Sequence, residues 1–188
     1  MAKKKYDSIF QIKISLLDSD PLIWRRILVP SNFTLKKLHN VIQIVMGWEN
    51  GHLHQFLVGE AIYSENEPEF EYEPEVRPTT AKLSKVFSDT KQFIYEYDFG
   101  DGWRHEVALE KALKPDDSFH YPICIGGENA CPPEDCGGLG GFYSMMEQME
   151  NPDDEEHNST KTWFGGFFDP HSFDPNRINR DMLWAKRW

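Results

Sequence analysis

Alternating hydrophobic and polar residues mark the first strand of the chain. The apolar positions are Phe10, Ile12, Ile14 and Leu16. Polar residues stand between them, and this period of two is typical of a strand with one buried face. The turn-forming run 18–21 follows, and residues 22–29 read as the returning strand. The pattern predicts an antiparallel β-hairpin.

The hydrophobic period then changes to that of a helix. The apolar residues recurring on one face are Leu35, Leu38, Ile42 and Val45. Thr34 is a candidate N-cap, and Gly47 suits the position just past the C-terminus. We expect a helix over 34–46 that packs on the hairpin, followed by a strand over 52–58. A hairpin, a helix and a further strand resemble the opening of a β-grasp arrangement.

The second half of the chain predicts a second hairpin and then irregular structure. Alternation over 93–99, the Gly-Asp-Gly turn at 100–102 and alternation over 103–109 indicate two paired strands. The region 115–141 is rich in Pro, Gly and Cys, so we expect mostly irregular structure there. Helices are expected over 142–150 and after Asp174, which precedes a proline. The fold class is therefore α+β, with a mostly antiparallel sheet, a loop-rich C-terminal half and short C-terminal helices.

Length and composition favour a single folded domain. The chain has 188 residues, of which 39% are hydrophobic, which is enough for a substantial core. We expect one α+β domain over 1–188, with an acidic loop at about 64–79 between its halves. No apolar run approaches the roughly 20 residues that span a bilayer, and the N-terminus does not resemble a secretion signal. These features, with three cysteines and hence an odd count, predict a cytoplasmic protein with reduced thiols and no membrane partner.

The charge balance bears on possible partners. Acidic residues outnumber basic ones 31 to 20, for a net charge of −11. Nucleic acid is therefore disfavoured, because phosphate backbones are bound mainly by clustered Lys and Arg. Local basic patches could still form at 3–5, 24–26 and 186–187. A protein or a small ligand is the preferred partner, and the sequence does not indicate an oligomeric state.

Several ordered segments together carry a family resemblance. They are Ile23-Trp24-Arg25-Arg26, Thr34-Leu35-x-x-Leu38-His39, Ile42-Gln43-x-x-Met46-Gly47-Trp48, His52-Leu53-His54-x-Phe56, Tyr97-Asp98-Phe99-Gly100-Asp101-x-Trp103-x-His105 and Cys131-Pro132-Pro133-Glu134-Asp135-Cys136-Gly137-Gly138. In this order the chain resembles the plasmid pRiA4b ORF-3-like family. The resemblance implies an α+β domain of unknown biochemical function, with some relatives linked to mobile elements. It supplies no catalytic residues.

Two segments combine stiff backbone with titratable side chains, and we expect them to form one binding surface. The candidate residues are Asp98, Asp101, Trp103 and His105 from the first segment and Glu134 and Asp135 from the second. Prolines and glycines flank the two carboxylates of the second segment, as in rigid loops that hold a site. Structural alternatives remain open: Asp135 could cap a following helix, and Trp103 could belong to the core.

Two metal sites are also conceivable. Cys124, Cys131 and Cys136, with His120 or His105 as the fourth ligand, have the residue types of a structural zinc site, although their spacing lacks the usual short knuckle. His52 and His54 would share one face of a strand, a geometry that suits a metal or simple hydrogen bonding near the strand edge. No cofactor is predicted beyond zinc at the cysteines.

These observations favour an interaction or accessory module over an enzyme. The family resemblance connects that module with mobile-element biology. No nucleophile and base stand at a diagnostic spacing. One alternative is a metal-assisted hydrolase that uses Asp, His and Glu near 98–105 and 131–138, and another is a nucleic-acid-binding accessory protein.

Overall fold

The computed structural model describes residues 6–65 and 76–185, which form eight strands and five helices. The strands are β1 (Ile9–Leu16), β2 (Trp24–Pro30), β3 (His54–Val58), β4 (Ala61–Ser64), β5 (Val76–Pro78), β6 (Gln92–Tyr97), β7 (Trp103–Leu113) and β8 (Ile123–Glu128). The helices are α1 (Leu35–Met46), α2 (Leu83–Asp89), α3 (Gly138–Glu150), α4 (His157–Trp163) and α5 (Pro175–Ala185). In the described residues, no helix is long and apolar enough to cross a bilayer.

All eight strands belong to one sheet in the order β5-β4-β3-β6-β7-β1-β2-β8. Neighbouring strands are antiparallel except for the parallel pair β4 and β5. Both predicted hairpins are present, and β1 joins them by pairing with β2 on one side and β7 on the other. The α+β class and the mostly antiparallel sheet are confirmed, whereas the β-grasp arrangement is not.

The first helix shows how local sequence positions the site. The hydroxyl of Thr34 accepts a hydrogen bond from the backbone of Lys37, and Gly47 ends α1 at a φ of +85° that favours glycine. The apolar face predicted for α1 is buried, with Leu35, Leu38 and Ile42 fully inaccessible. Full burial of such a side chain stabilises the fold by about 1.5–3 kcal/mol. Helix α1 therefore fixes the position at which the connection to β3, residues 47–53, begins.

The backbone over 115–141 is mostly irregular, as expected, but two regular elements lie in it that were not predicted. Residues 123–128 form β8, and α3 already begins at Gly138. Strand β8 pairs with β2, and the side-chain amide of Asn179 bonds both the N–H and the C=O of Cys124. Unpaired backbone N–H and C=O groups on an edge strand can pair with a strand of another chain, so the side-chain amide of Asn179 protects this edge of the sheet. Strands β4 and β5 and helices α2 and α4 were not predicted either.

The acidic loop predicted at about 64–79 lies partly outside the described residues, since 66–75 are not among them. The predicted basic patches at 3–5 and 186–187 lie wholly outside the described residues. The third basic patch does not form. Arg25 is buried, and Arg26 makes a two-point ion pair with Glu110 at 2.6 and 2.7 Å.

Candidate functional site

The two segments selected from the sequence meet at one end of the sheet. Gly138 lies so close to Asp101 that an added Cβ would stand 2.5 Å from the Asp101 carbonyl oxygen. Its φ of +68° likewise favours glycine. The hydroxyl of Tyr97, the last residue of β6, donates a hydrogen bond to Glu134. The turn after β6 and the loop before α3 therefore form a continuous surface.

His52 lies between these segments and contacts both. Its Nδ1 is 3.5 Å from Oδ2 of Asp98, and its Nε2 is 3.3 Å from Oδ1 of Asp135. One ligand atom from each of the three residues falls within 4.8 Å of the others. Over 6–65 and 76–185, this is the one set of three His, Cys, Asp or Glu side chains that meets that limit. We call His52, Asp98 and Asp135 the His52 triad.

Both carboxylates of the triad stand on backbone in the left-handed region. Asp98 has a φ of +54° and Asp135 a φ of +60°, and nearby Asn50 has a φ of +64°. Aspartate and asparagine tolerate this conformation better than most residues. Oδ1 of Asp98 accepts the N–H of Gly100 at 3.0 Å, which leaves Oδ2 facing His52. Unusual backbone of this kind concentrates at functional sites.

A hydrogen-bond network around Tyr97 holds the segment that carries His52. The Tyr97 hydroxyl accepts the N–H groups of Gly51 at 3.0 Å and His52 at 3.3 Å while it donates to Glu134. The second oxygen of Glu134 accepts the N–H of Glu49 at 2.7 Å. Burial raises the pKa of Tyr97, and the bond to Glu134 acts in the same direction, so the hydroxyl stays protonated. Glu134 is thus a positioning residue rather than a member of the triad.

Trp48 ties the same network to the loop before α3. Its ring stacks on Tyr97 with centroids 5.1 Å apart, and its indole N–H donates to the carbonyl of Pro132 at 2.9 Å. Asp135, in contrast, does not cap α3, since Gly137 holds the N-cap position without a side-chain hydrogen bond. Its side chain is 75% exposed. The capping alternative for Asp135 is therefore wrong, and the residue is available to a ligand.

Two of the predicted surface residues lie beneath the site. Trp103 is 1% exposed and His105 is inaccessible, and the rings of Trp48 and His105 are nearly perpendicular with their centroids 5.3 Å apart. Burial lowers the pKa of His105 to about 4, so the ring is neutral at pH 7. Asp101 is partly exposed, and its contact with the site runs through its backbone. Trp103 and His105 thus support the surface from the core and do not form part of it.

His54 does not belong to the His52 triad. It opens β3 and stacks on His39 of α1, with centroids 3.5 Å apart and planes 4° from parallel. Nδ1 of His39 bonds the Tyr95 hydroxyl at 2.7 Å. Burial lowers the pKa of His39 to about 3 and that of His54 to about 4. A cavity of about 280 Å³ is lined by both rings together with His52.

The cysteines are free thiols and do not gather into a comparable set. In the described part of the chain, Cys124, Cys131, Cys136 and His120 do not supply three ligand atoms within 4.8 Å of one another. His120 is exposed in the loop before β8. Burial raises the pKa of Cys131 to about 12 and that of Cys136 to about 11, so both thiols are protonated at neutral pH.

Of the functional candidates, sequence reasoning left His52 out of the shared surface. The signal was present in the His-x-His spacing. However, that pattern assigned His52 to a strand, whereas β3 begins at His54. In the 47–53 segment the direction of the side chain is set by hydrogen bonds to Tyr97, which sequence periodicity does not encode.

Known proteins share this fold and much of this sequence. The chain is 35% identical over 184 residues to the uncharacterized protein y4hQ of Sinorhizobium fredii, and the match covers 95% of this chain and 94% of that protein. A protein of unknown function from Methanosarcina mazei Go1, MM3350, has a crystal structure that superposes with a TM-score of 0.81 at 40% identity. That match covers 91% of this chain and 97% of the solved one. The sequence model of the plasmid pRiA4b ORF-3-like protein family matches residues 8–177, and the chain belongs to this family.

Proposed function

We propose that this protein is a binding module whose His52 triad holds a divalent metal ion. The observation that carries the proposal is the convergence of an imidazole and two carboxylates from three separate segments. These segments are the 47–53 connection, the turn after β6 and the loop before α3. A mixed nitrogen and oxygen donor set suits Zn²⁺, Mn²⁺ or Fe²⁺ and leaves positions open for water or a ligand.

The dimensions of the triad are close to those of a metal centre. Donor atoms stand about 2.0–2.2 Å from such ions, so adjacent donors lie roughly 3–3.5 Å apart. The contact between Nδ1 of His52 and Asp98, at 3.5 Å, is of that size, and one ligand atom from each of the three residues lies within 4.8 Å of the others. Asp135, being exposed, can rotate to complete the set.

The alternative occupant of the triad is a proton. A protonated His52 could bridge the two carboxylates as an ion-pair network, with no metal and no ligand role. The two arrangements predict different responses to added metal. A metal site binds the ion, which displaces any proton on His52, whereas an ion-pair network without a ligand role does not bind it.

Isothermal titration calorimetry on chelator-treated protein tests the proposal. Mn²⁺ and Zn²⁺ should bind with one site per chain. His52→Gln, Asp98→Asn and Asp135→Asn should each weaken binding by about tenfold or more. His120→Gln and Asp153→Asn change the same residue types away from the triad and should bind as the parent does. Absence of binding by the parent, or equal affinity in triad and control variants, would reject the metal site.

Metal-assisted hydrolysis is a second candidate function, favoured by the cavity beside His52. That cavity is also lined by Lys36, Asn50 and Glu65, which would offer charged and amide groups to a substrate, while a metal held by the triad would supply activation of water. Turnover of bis(p-nitrophenyl) phosphate and p-nitrophenyl acetate tests this function. Metal-dependent rates that disappear in His52→Gln but persist in His120→Gln would support it. Rates equal to those of free metal would restrict the protein to binding.

The accessory role in mobile elements is supported by the family resemblance. A nucleic-acid partner is disfavoured, because Arg25 is buried and Arg26 is ion-paired with Glu110. Nonspecific phosphate contact needs exposed Lys and Arg. A protein or small ligand recognised at the His52 triad remains the favoured partner.

A further inference from the structure

A second cavity, of about 520 Å³, lies behind the start of the 131–138 loop. It is bounded by the C-terminal end of α1, the 130–133 segment, the 167–174 segment and the first turns of α5. The walls are polar and apolar in similar measure, with Met46, Pro133, Phe168 and Phe173 among the apolar side chains. Its volume falls within the range of roughly 300–1,000 Å³ in which small-molecule sites occur.

Arg25 lines this cavity and carries a buried charge. The residue is 3% exposed. Its Nε donates to the carbonyl of Val45 at 3.0 Å, and Nη1 donates to the carbonyls of Trp24 and Glu128 at 2.8 and 2.9 Å. Over the described ranges, Nη2 has no hydrogen-bond partner and no carboxylate stands within 4.0 Å of the guanidinium. One face of the group covers the ring of Phe173 at 5.0 Å.

Among the described residues, the direct hydrogen-bond partners of this guanidinium are backbone carbonyls, and no carboxylate pairs with it. Burial lowers the pKa of Arg25, which shows that the surroundings disfavour its charge. Cys131 and Cys124 could offset it only as thiolates, and burial raises the pKa of both thiols. Arg26, the next residue, has the opposite arrangement, with a two-point pair to Glu110. A buried charge with carbonyl partners alone is costly, so an anion at Arg25 would be strongly favoured.

We propose that this cavity binds a small monocarboxylate with an apolar body, its carboxylate on Arg25 and its body against Phe168 and Phe173. The charge around the rim selects a singly charged anion. Asp169, Asp174 and Asp181 also line the cavity, whereas Arg177 is the other basic residue there. Three carboxylates would repel a phosphate dianion more strongly than a carboxylate. This site is separate from the His52 triad, although the 131–138 loop contributes to both.

The decisive comparison uses three probes on the unaltered protein. Benzoate, benzamide and inorganic phosphate are titrated while the arginine side-chain N–H resonances and the melting temperature are followed. Benzoate should shift an Arg25 signal and bind about tenfold or more tightly than benzamide, which has the same shape without the charge. Phosphate should bind more weakly than benzoate. Equal affinities for benzoate and benzamide, phosphate as tight as benzoate, or no response to millimolar benzoate would each overturn the proposal.

Variants assign the charge to one residue. Arg25→Met should remove the preference for benzoate over benzamide, and Arg177→Gln, which changes the exposed arginine of the same cavity, should keep it. If Arg25→Met does not fold by circular dichroism, Arg25→Lys keeps a charge but loses the planar donors and should lower the preference. Loss of the preference in Arg177→Gln with retention in a folded Arg25 variant would place the anion elsewhere and contradict the proposal.

Discussion

Removing one oxygen atom from the network behind the His52 triad should both destabilise the protein and weaken the site. The change is Tyr97→Phe, which keeps the ring and its stacking on Trp48 but removes the hydroxyl. That hydroxyl makes three hydrogen bonds, one to the carboxylate of Glu134 and two from the N–H groups of Gly51 and His52. The variant therefore leaves the N–H groups of Gly51 and His52 and the carboxylate of Glu134 without the hydroxyl that bonds all three.

The expected cost follows from the kind of bonds that are lost. A neutral hydrogen bond contributes about 0.5–1.5 kcal/mol, and one to a charged group contributes about 1.5–3 kcal/mol. Water can reach parts of the 47–53 segment, where Glu49 and Asn50 are exposed, and can replace some of this stabilisation. We expect a loss of about 2–4 kcal/mol in the free energy of unfolding. Metal affinity should fall by about tenfold, because His52 is no longer held in place.

Urea denaturation followed by tryptophan fluorescence measures the first effect, and calorimetric titration with Zn²⁺ measures the second. Tyr121→Phe is the matched control. Its hydroxyl accepts one hydrogen bond, from the exposed backbone of Asp116 at 3.1 Å, so its cost should stay below about 1 kcal/mol. If Tyr97→Phe costs no more than Tyr121→Phe and leaves metal affinity unchanged, the network does not position the site.

Two further predictions concern stability. His39, His54 and His105 have pKa values lowered by burial to about 3, 4 and 4, below the ordinary 6.5, so the unfolded chain binds more protons. Stability should be complete above pH 6.5 and fall towards pH 4, by about 3 kcal/mol for the fully buried His105 alone. Urea midpoints that stay constant from pH 7 to 4.5 would contradict this. Leu38→Ala, at a fully buried position of α1, should cost about 2–5 kcal/mol in the same assay, and a loss below about 0.5 kcal/mol would remove Leu38 from the core.

The sequence predicted the elements whose periodicity is set by one buried face. Strand β1 and helix α1 are examples, since their apolar residues recur at the spacing of the element that buries them. Strand β8 has no such pattern, because Ile123, Cys124 and Ile125 are followed by two glycines. It forms through pairing with β2 and the amide of Asn179, which are tertiary contacts. Those contacts are not encoded in the local pattern.

The site was predicted in its segments but not in its geometry. Periodicity correctly placed Trp103 and His105 on one face of β7, but that face is the core. The same reasoning continued the β6 strand to residue 99, whereas the positive φ of Asp98 ends it at Tyr97 and turns the carboxylate towards His52. Alternation identifies which side chains share a face. It does not identify which face meets solvent or where the backbone leaves the strand.

The central claim is that His52, Asp98 and Asp135 hold one divalent metal ion. Anomalous diffraction from crystals of this protein soaked in Mn²⁺ or Zn²⁺ tests it most directly. A single strong peak is expected within about 2.0–2.2 Å of one donor atom from each of the three side chains, with a weaker peak in crystals of Asp98→Asn soaked at the same metal concentration. A soaked crystal with no peak at the triad, or with its main peak at Cys124, Cys131 or Cys136, would contradict the claim.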